Sequence, residues 1–189
     1  MNLIQIEEEL KVMGHEYVDL GLPSGLKWAT CNVGANSPGE DGGYYAWGEV
    51  DIKGEYSYGN CVTYGKSMSD ISGNPTYDVA RKKWGSSWRL PTEAEFQELL
   101  DECNWQWTAQ GGKEGYKVTG PNGNSIFLPA AGYRDGSSLY DAGEYGYYWS
   151  SAFLESDDRS AFGLYFNSSC RSVYGGYRDD GRSVRPVLE

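Results

Sequence analysis

The chain has 189 residues, a formal net charge of −11 at pH 7 and a sequence pI near 4.6. Because a protein that binds phosphates needs a basic face, this charge argues against nucleic acid and anionic membranes as partners. With 26 Gly, 7 Pro, 16 Tyr and 7 Trp, the apolar content lies largely on aromatic residues, which favours short strands joined by many turns and excludes a long helical bundle.

The organisation of the chain points to one domain, because no shift in composition marks a linker. We expect an N-terminal arm at residues 1–16 and a single domain at residues 17–189. No run of 18 apolar residues occurs, so membrane insertion is not expected. The start also lacks the basic and apolar regions of a signal peptide, so either the protein is made without export or a leader is missing from this sequence.

The first predicted elements form a hairpin. Strands at Tyr17 to Leu20 and Leu26 to Cys31 flank a turn in which Pro23 and Gly25 supply the required backbone angles. Residues 51–78 are polar and rich in Gly, which predicts a region made mostly of loops.

Two helices are predicted next. The first spans Thr76 to Gly85 and ends on a glycine suited to a left-handed cap. The second begins at Thr92, which stands three residues before Glu95 in the spacing of a capping box. Four apolar residues then follow at helical spacing, which predicts one buried helix face: Phe96, Leu99, Leu100 and Cys103.

The rest of the chain reads as strands and loops. Asn122-Gly123 is a strong hairpin turn between two strands. Further strands are predicted at Tyr145 to Phe153, Ser160 to Ser169 and Arg182 to Val187, with Tyr174 to Asp180 as a loop. Two helices bracketed by short antiparallel strands predict an α+β class.

Motifs for catalysis or metal binding are weak. His15 is the sole histidine, which favours a surface role over a zinc ligand, and the four scattered cysteines favour free thiols. No phosphate-binding loop, dinucleotide fingerprint or hydrolase nucleophile motif occurs. The acid pairs Asp157-Asp158 and Asp179-Asp180 leave calcium binding and glycoside hydrolysis open, but adjacent acids on a strand point in different directions. We therefore expect no metal and no cofactor.

The aromatic residues divide into two groups. Tyr174 and Tyr177 stand among glycines and charges, so we expect them to be exposed. Four tryptophans lie in predicted strands or beside helix ends and are expected in the core: Trp28, Trp47, Trp88 and Trp149.

The composition changes between Ala152 and Asp180. Lys, Gln, Met and Trp are absent there, and Glu155 is the only glutamate. A short glycine-rich β region could lack these residues by chance. The alternative is a recognition surface, because Tyr, Ser, Gly, Asn and Arg are the residues of antibody paratopes.

Several segments, in order, resemble the Fibrobacter succinogenes major paralogous domain, which is common in Bacteroides-type gut bacteria and their phages. They are EYVDLGLPSGLKWATCNVGA, WRLPTEAEFQELL, GNSIFLPAAGYR and YYWSSA followed by GRSVRPV. The resemblance implies a C-type lectin-like fold of the formylglycine-generating-enzyme branch. It does not imply that enzyme's activity, since the family's active-site cysteine pair has no counterpart here. The calcium-binding lectin triplet is also missing.

The end of the chain is similar to the variable region of target proteins of diversity-generating retroelements, a group that includes the phage major tropism determinant. In that group, copying errors at template adenines randomise Asn codons, and these can never become Lys, Glu, Gln, Met or Trp codons. These are the residue types depleted in residues 152–180.

The resemblance implies a binding region at about residues 147–187, in which some positions vary and others form a constant framework. Candidate varied, ligand-binding positions are Phe153, Leu154, Asp157, Asp158, Phe162, Tyr165, Cys170, Arg171, Tyr174, Gly175, Gly176, Tyr177, Asp179 and Asp180. Candidate framework positions are Trp149, Ser150, Ser151, Val184, Arg185 and Pro186.

The function implied is non-enzymatic recognition of a protein or glycan ligand on a cell surface, by a protein on a phage particle or a bacterial surface. One alternative is an unvaried carbohydrate or surface adhesin of the same domain family. Another is an enzyme of the formylglycine-generating or sulfatase-modifying type. The sequence leaves the ligand and the oligomeric state open.

Overall fold

A computed structural model describes residues 11–85 and 87–189, so most of the expected arm, residues 1–10, lies outside the described residues. The domain boundary expected at residue 17 falls within the second strand. The described residues contain two helices, α1 at Val79–Trp84 and α2 at Glu93–Glu102. The strands are β1 Lys11–Val12, β2 His15–Asp19, β3 Lys27–Ala29, β4 Trp88–Arg89, β5 Asn104–Gln110, β6 Lys113–Thr119, β7 Ser125–Pro129, β8 Tyr133–Asp135, β9 Ser138–Tyr140, β10 Tyr145–Phe153, β11 Ser160–Asn167, β12 Arg171–Tyr177 and β13 Val187–Leu188.

The strands form four sheets in which all neighbouring strands are antiparallel. The largest has the order β1-β2-β3-β13-β4, two others are β5-β6-β7 and β10-β11-β12, and the last is the pair β8-β9. The final strand β13 thus lies between β3 and β4. Residues from near both ends of the described chain therefore lie in one sheet.

The predicted α+β class of C-type lectin-like type is wrong, because the fold is β-rich. Strands make up 39% of the structure and helices only 9%. Both predicted helices exist, but α1 is shorter than predicted and begins after Asp78, whose side chain accepts a hydrogen bond from the backbone of Arg81. Two long strands that sequence reasoning did not anticipate, β5 and β12, shift the balance further.

Local sequence signals were reliable where turns and caps set the geometry. The hairpin of β2 and β3 and the hairpin around Asn122-Gly123 are confirmed. Thr92 and Glu95 form the predicted capping box at the start of α2. Strand β10 has the predicted bounds.

Two assignments near the end of the chain are wrong. Of the segment predicted as a strand from Arg182 to Val187, only Val187 lies in a strand, β13, and Arg182 makes an isolated bridge. Most of the stretch predicted as a loop from Tyr174 belongs to β12. Glycine and tyrosine are tolerated at an edge strand, so the composition of this segment did not reveal its pairing with β11.

The core consists of two main aromatic clusters on either side of the β10-β11-β12 sheet. Helix α2 packs against all three of these strands, on the face that carries Leu164 and Phe166. The second cluster contains Trp149 and Ala161, which point the other way by strand alternation. The four tryptophans predicted in the core are confirmed as buried. No helix in the described part of the chain is long and apolar enough to span a bilayer.

A buried arginine connects three parts of the fold. The Arg185 Nε donates to the Asn32 Oδ1 at 2.9 Å, and its Nη1 donates to the carbonyls of Ala29 and Thr30 at 3.1 Å. Its Nη2 donates to the carbonyl of Phe127 at 2.9 Å. Burial lowers the pKa of Arg185, because solvent is replaced by neutral acceptors.

We expect Arg185→Lys to lower the free energy of unfolding by at least about 3 kcal/mol, because an ammonium cannot reproduce the planar fork and leaves buried carbonyls unpaired. Urea denaturation measures this change. The control is Arg159→Lys at an exposed position, which should change stability by less than about 0.5 kcal/mol. Equal effects would contradict the anchoring role.

Candidate functional site

A cavity of about 450 Å³ lies beside the edge strand β12. Ten residues line it, and eight of them belong to the binding positions expected from the sequence. These eight are Leu154, Asp157, Phe162, Tyr174, Gly175, Gly176, Tyr177 and Asp180, and the other two are Ser160 and Arg182. The strand pairing brings together segments that are up to 28 positions apart, from Leu154 to Arg182.

The wall of the cavity combines exposed aromatic rings with two glycines. Tyr174 is 67% exposed and Tyr177 is 57% exposed, as predicted. Between them, Gly175 and Gly176 carry no side chain, and the half-buried Phe162 lies opposite Gly175 on β11. The large rigid tyrosine rings provide contact area at a low cost in side-chain entropy.

Carboxylates supply polarity at two places in the wall. Asp157 accepts hydrogen bonds from the Nε of Arg159 at 2.9 Å and from the hydroxyl of Ser160 at 2.8 Å. The Arg159 side chain lowers the pKa of Asp157 to about 2, so this carboxylate is ionised at neutral pH. Burial raises the pKa of Asp180, against the opposing effect of Arg182.

Arg182 is the buried cation of the site. Its Nη2 donates to the Oδ2 of Asp180 at 2.9 Å, and its guanidinium lies 4.3 Å from the ring centre of Trp149 and 5.3 Å from that of Tyr147. The Nε is buried and makes no hydrogen bond with any of the described residues. The guanidinium is therefore held by one ion pair and two rings, at the boundary between the cavity and the tyrosine-bearing face of the sheet.

The two glycines of β12 differ in the space above them. A Cβ on Gly175 would lie 3.4 Å from the Leu154 Cδ2, which is ordinary contact. A Cβ on Gly176 would overlap with the guanidinium of Arg182. Variation at Gly176 therefore requires the buried cation to move, whereas Gly175 has room for a side chain.

The other six expected positions lie outside the cavity. Cys170 and Arg171 line a separate cavity of about 510 Å³ beside α2. Tyr165 contacts other tyrosines on β10. The remaining three are dispersed: Phe153 packs at the edge of the second core cluster, Asp158 is exposed and Asp179 is half-buried.

Burial separates the two sets of residues that the resemblance implied. All fourteen candidate varied positions keep part of their surface exposed. All six candidate framework positions are buried. Alternation along β11 produces much of this division, with buried Leu164 and Phe166 flanking the half-exposed Tyr165.

The arginines of the biased segment were partly misjudged. The paratope-like composition predicted that they contact a ligand, and Arg159 and Arg171 are exposed, but Arg178 is buried. Arg178 donates to the carbonyls of Ser160, Thr63 and Lys66. No sequence signal distinguished these roles, since two of the three acceptors lie more than 100 residues away along the chain.

The groups considered for metal or thiol chemistry do not gather into one site. All four cysteines are free, and burial raises the pKa of Cys61 and raises that of Cys103 to about 11. His15, expected at the surface, is half-buried and stacks on Trp84 with ring centres 3.7 Å apart. Among residues 11–85 and 87–189, no three His, Cys, Asp or Glu residues are placed to hold a metal ion.

Residues 105–187 match a family model described as a domain of unknown function, DUF8237. The matched span is a little under half of the chain, and it contains every residue that lines the cavity. No curated protein and no solved structure matches the chain.

The contrast between the two glycines can be tested directly. We expect Gly176→Ala to lower the free energy of unfolding by about 1–3 kcal/mol, because the added methyl group overlaps with a buried guanidinium. Gly175→Ala should be neutral or slightly stabilising, because the site has room and the unfolded chain loses freedom. Thermal and urea unfolding of both variants measure the difference. Equal stability of the two would show that Arg182 moves freely.

Proposed function

We propose that this protein is a non-enzymatic ligand-recognition protein that presents a diversifiable binding surface, as in target proteins of diversity-generating retroelements. Its ligand is a protein or glycan on a cell surface. The observation that supports this proposal best is the division by burial, in which the positions expected to vary are accessible and the expected framework is buried.

A surface whose residues vary requires that the substitutions leave the buried core intact. Substitutions at exposed positions usually change stability by less than about 0.5 kcal/mol, whereas substitutions in a packed core cost several times more. Tyr174 and Tyr177 can therefore be exchanged while Trp149 and Arg185 hold the scaffold. The rings would act as anchors for the ligand, and Asp157 would contribute polar selection.

If the cavity binds the ligand, removal of its two exposed tyrosine rings should weaken binding strongly. We expect the double variant Tyr174→Ala, Tyr177→Ala to bind at least about tenfold more weakly to any ligand found by screening glycans and cell-surface proteins. The matched control is Tyr58→Ala, another tyrosine that is 73% exposed and absent from the cavity lining. Equal binding by the native protein and the double variant would exclude the cavity as the binding site.

Diversification has its own test, which separates the proposal from a fixed adhesin. We expect a reverse transcriptase gene near the gene for this chain, with a template repeat that matches residues 148–187 and differs opposite template adenines. Genome sequencing of the source provides this comparison. A neighbourhood without such a repeat would leave an unvaried adhesin as the function.

A further inference from the structure

Five tyrosines form a continuous surface beside the cavity, and we call them the tyrosine platform. They are Tyr133, Tyr140, Tyr145, Tyr147 and Tyr165. Tyr147 and Tyr165 are paired directly on neighbouring strands β10 and β11, so their side chains share one face of the sheet. Four of the five lie outside the segment with biased composition. The platform therefore lies mostly outside the segment with biased composition, and Tyr165 is its one member among the candidate varied positions.

Each ring of the platform contacts at least one other. The ring centres of Tyr133 and Tyr140 lie 5.6 Å apart, and those of Tyr133 and Tyr147 lie 5.0 Å apart. Tyr147 and Tyr165 are separated by 5.4 Å. Tyr140, at the outer end, is 45% exposed, and the other four are half-buried. The rings support one another, so their faces are held in fixed positions for a ligand.

Carboxylates surround the platform. The hydroxyl of Tyr147 donates to the Oδ2 of Asp141 at 3.1 Å. The pKa of Tyr133 is raised by burial and then by the negative charges of Asp180, Asp141 and Asp135, which places three acids within electrostatic range of one ring. Asp135 and Asp141 are exposed, so both are open to a ligand.

Two arginines near the platform, Arg134 in sequence and Arg182 in space, are engaged by other groups. Arg134 lies between Tyr133 and Asp135 on β8, and its guanidinium lies 5.2 Å from the ring centre of Tyr44. Arg182 is buried and paired with Asp180. Arg182 also shows that a ring of the platform can pack against a guanidinium, since its guanidinium lies 5.3 Å from the ring centre of Tyr147 on the inner side.

We propose that the tyrosine platform binds the arginine or lysine side chains of a basic segment in a partner protein. Aromatic faces attract cations, and neighbouring carboxylates add a favourable charge interaction on a molecule whose net charge is −11. A neutral glycan could stack on the rings and donate hydrogen bonds to the exposed carboxylates, but it would lack the charge interaction with Asp135 and Asp141. The platform uses residues other than the rings tested for the cavity, so either proposal can fail alone.

The test uses two fluorescent peptides, hexa-arginine and hexa-citrulline, titrated onto the full chain at low and physiological ionic strength. Citrulline keeps the shape of arginine without its charge. We expect hexa-arginine to bind and hexa-citrulline to bind at least about tenfold more weakly. Equal binding of the two peptides, or no binding of hexa-arginine, would overturn the proposal. So would binding of neutral glycans on an array without binding of hexa-arginine.

Variants then locate the site. We expect Tyr140→Ala to weaken hexa-arginine binding about two- to fivefold, and Tyr140→Phe to retain it within about twofold. Leu139→Ala is the matched control, because Leu139 is 41% exposed and precedes Tyr140 on β9, where alternation points it to the opposite face. If Tyr140→Ala and Leu139→Ala bind equally, the platform is not the site.

A charge control separates the platform from general attraction by an acidic protein. Asp141→Asn should weaken binding about two- to fivefold. Asn also tolerates the positive φ of 59° at this position. Glu102→Gln removes the same charge at the exposed end of α2 and should change binding by less than about twofold. Equal losses in both variants would show non-specific attraction and refute the site. Near-ultraviolet circular dichroism of each variant verifies the fold.

Discussion

Two buried guanidinium groups that form no ion pair with a carboxylate in the described part of the chain hold this fold together. Arg178 and Arg185 donate to backbone carbonyls, Arg185 also donates to one side-chain amide, and Arg178 lies 4.7 Å from the ring centre of Trp47. Burying a charge is costly unless its hydrogen bonds are met, so each arginine specifies where several loops must pass. Loops near Thr63 and Asn32 are thereby fixed to the C-terminal part of the chain. These few contacts therefore fix the course of the glycine-rich loops.

This arrangement explains how a surface rich in tyrosine and aspartate can coexist with a firm scaffold. The β10-β11-β12 sheet is packed by α2 on one face and by the second core cluster at one end of the other. What remains accessible is the edge strand β12 and the platform beside it. Arg182 stands where the two meet, paired with Asp180 and lying against the ring of Tyr147. The core elements that hold the accessible residues in place are thus stabilised by contacts other than those residues.

Sequence reasoning succeeded where the physical cause was local. The capping box at Thr92, the turn at Asn122-Gly123 and the alternation within β10 all act over a few residues. It failed where the cause was distant: the burial of Arg178 depends on carbonyls 115 and 112 positions away. The exposure of Tyr174 and Tyr177 was predicted from their neighbours in sequence, but the strand status of β12 depends on its partner β11. The tyrosine platform was not foreseen, since its members come from two strands of the β10-β11-β12 sheet and from the β8-β9 hairpin.

The position of β13 has a consequence for the order of folding. This two-residue strand lies between β3 and β4, and Val187 pairs with both Trp28 and Arg89. The five-stranded sheet therefore stays split into two parts until Leu188 has left the ribosome. Contacts this far apart in sequence close late and slowly, since the entropy of a long loop is lost before the pairing is gained. During synthesis the edges of β3 and β4 that face β13 stay unpaired, and such edges can associate with other chains.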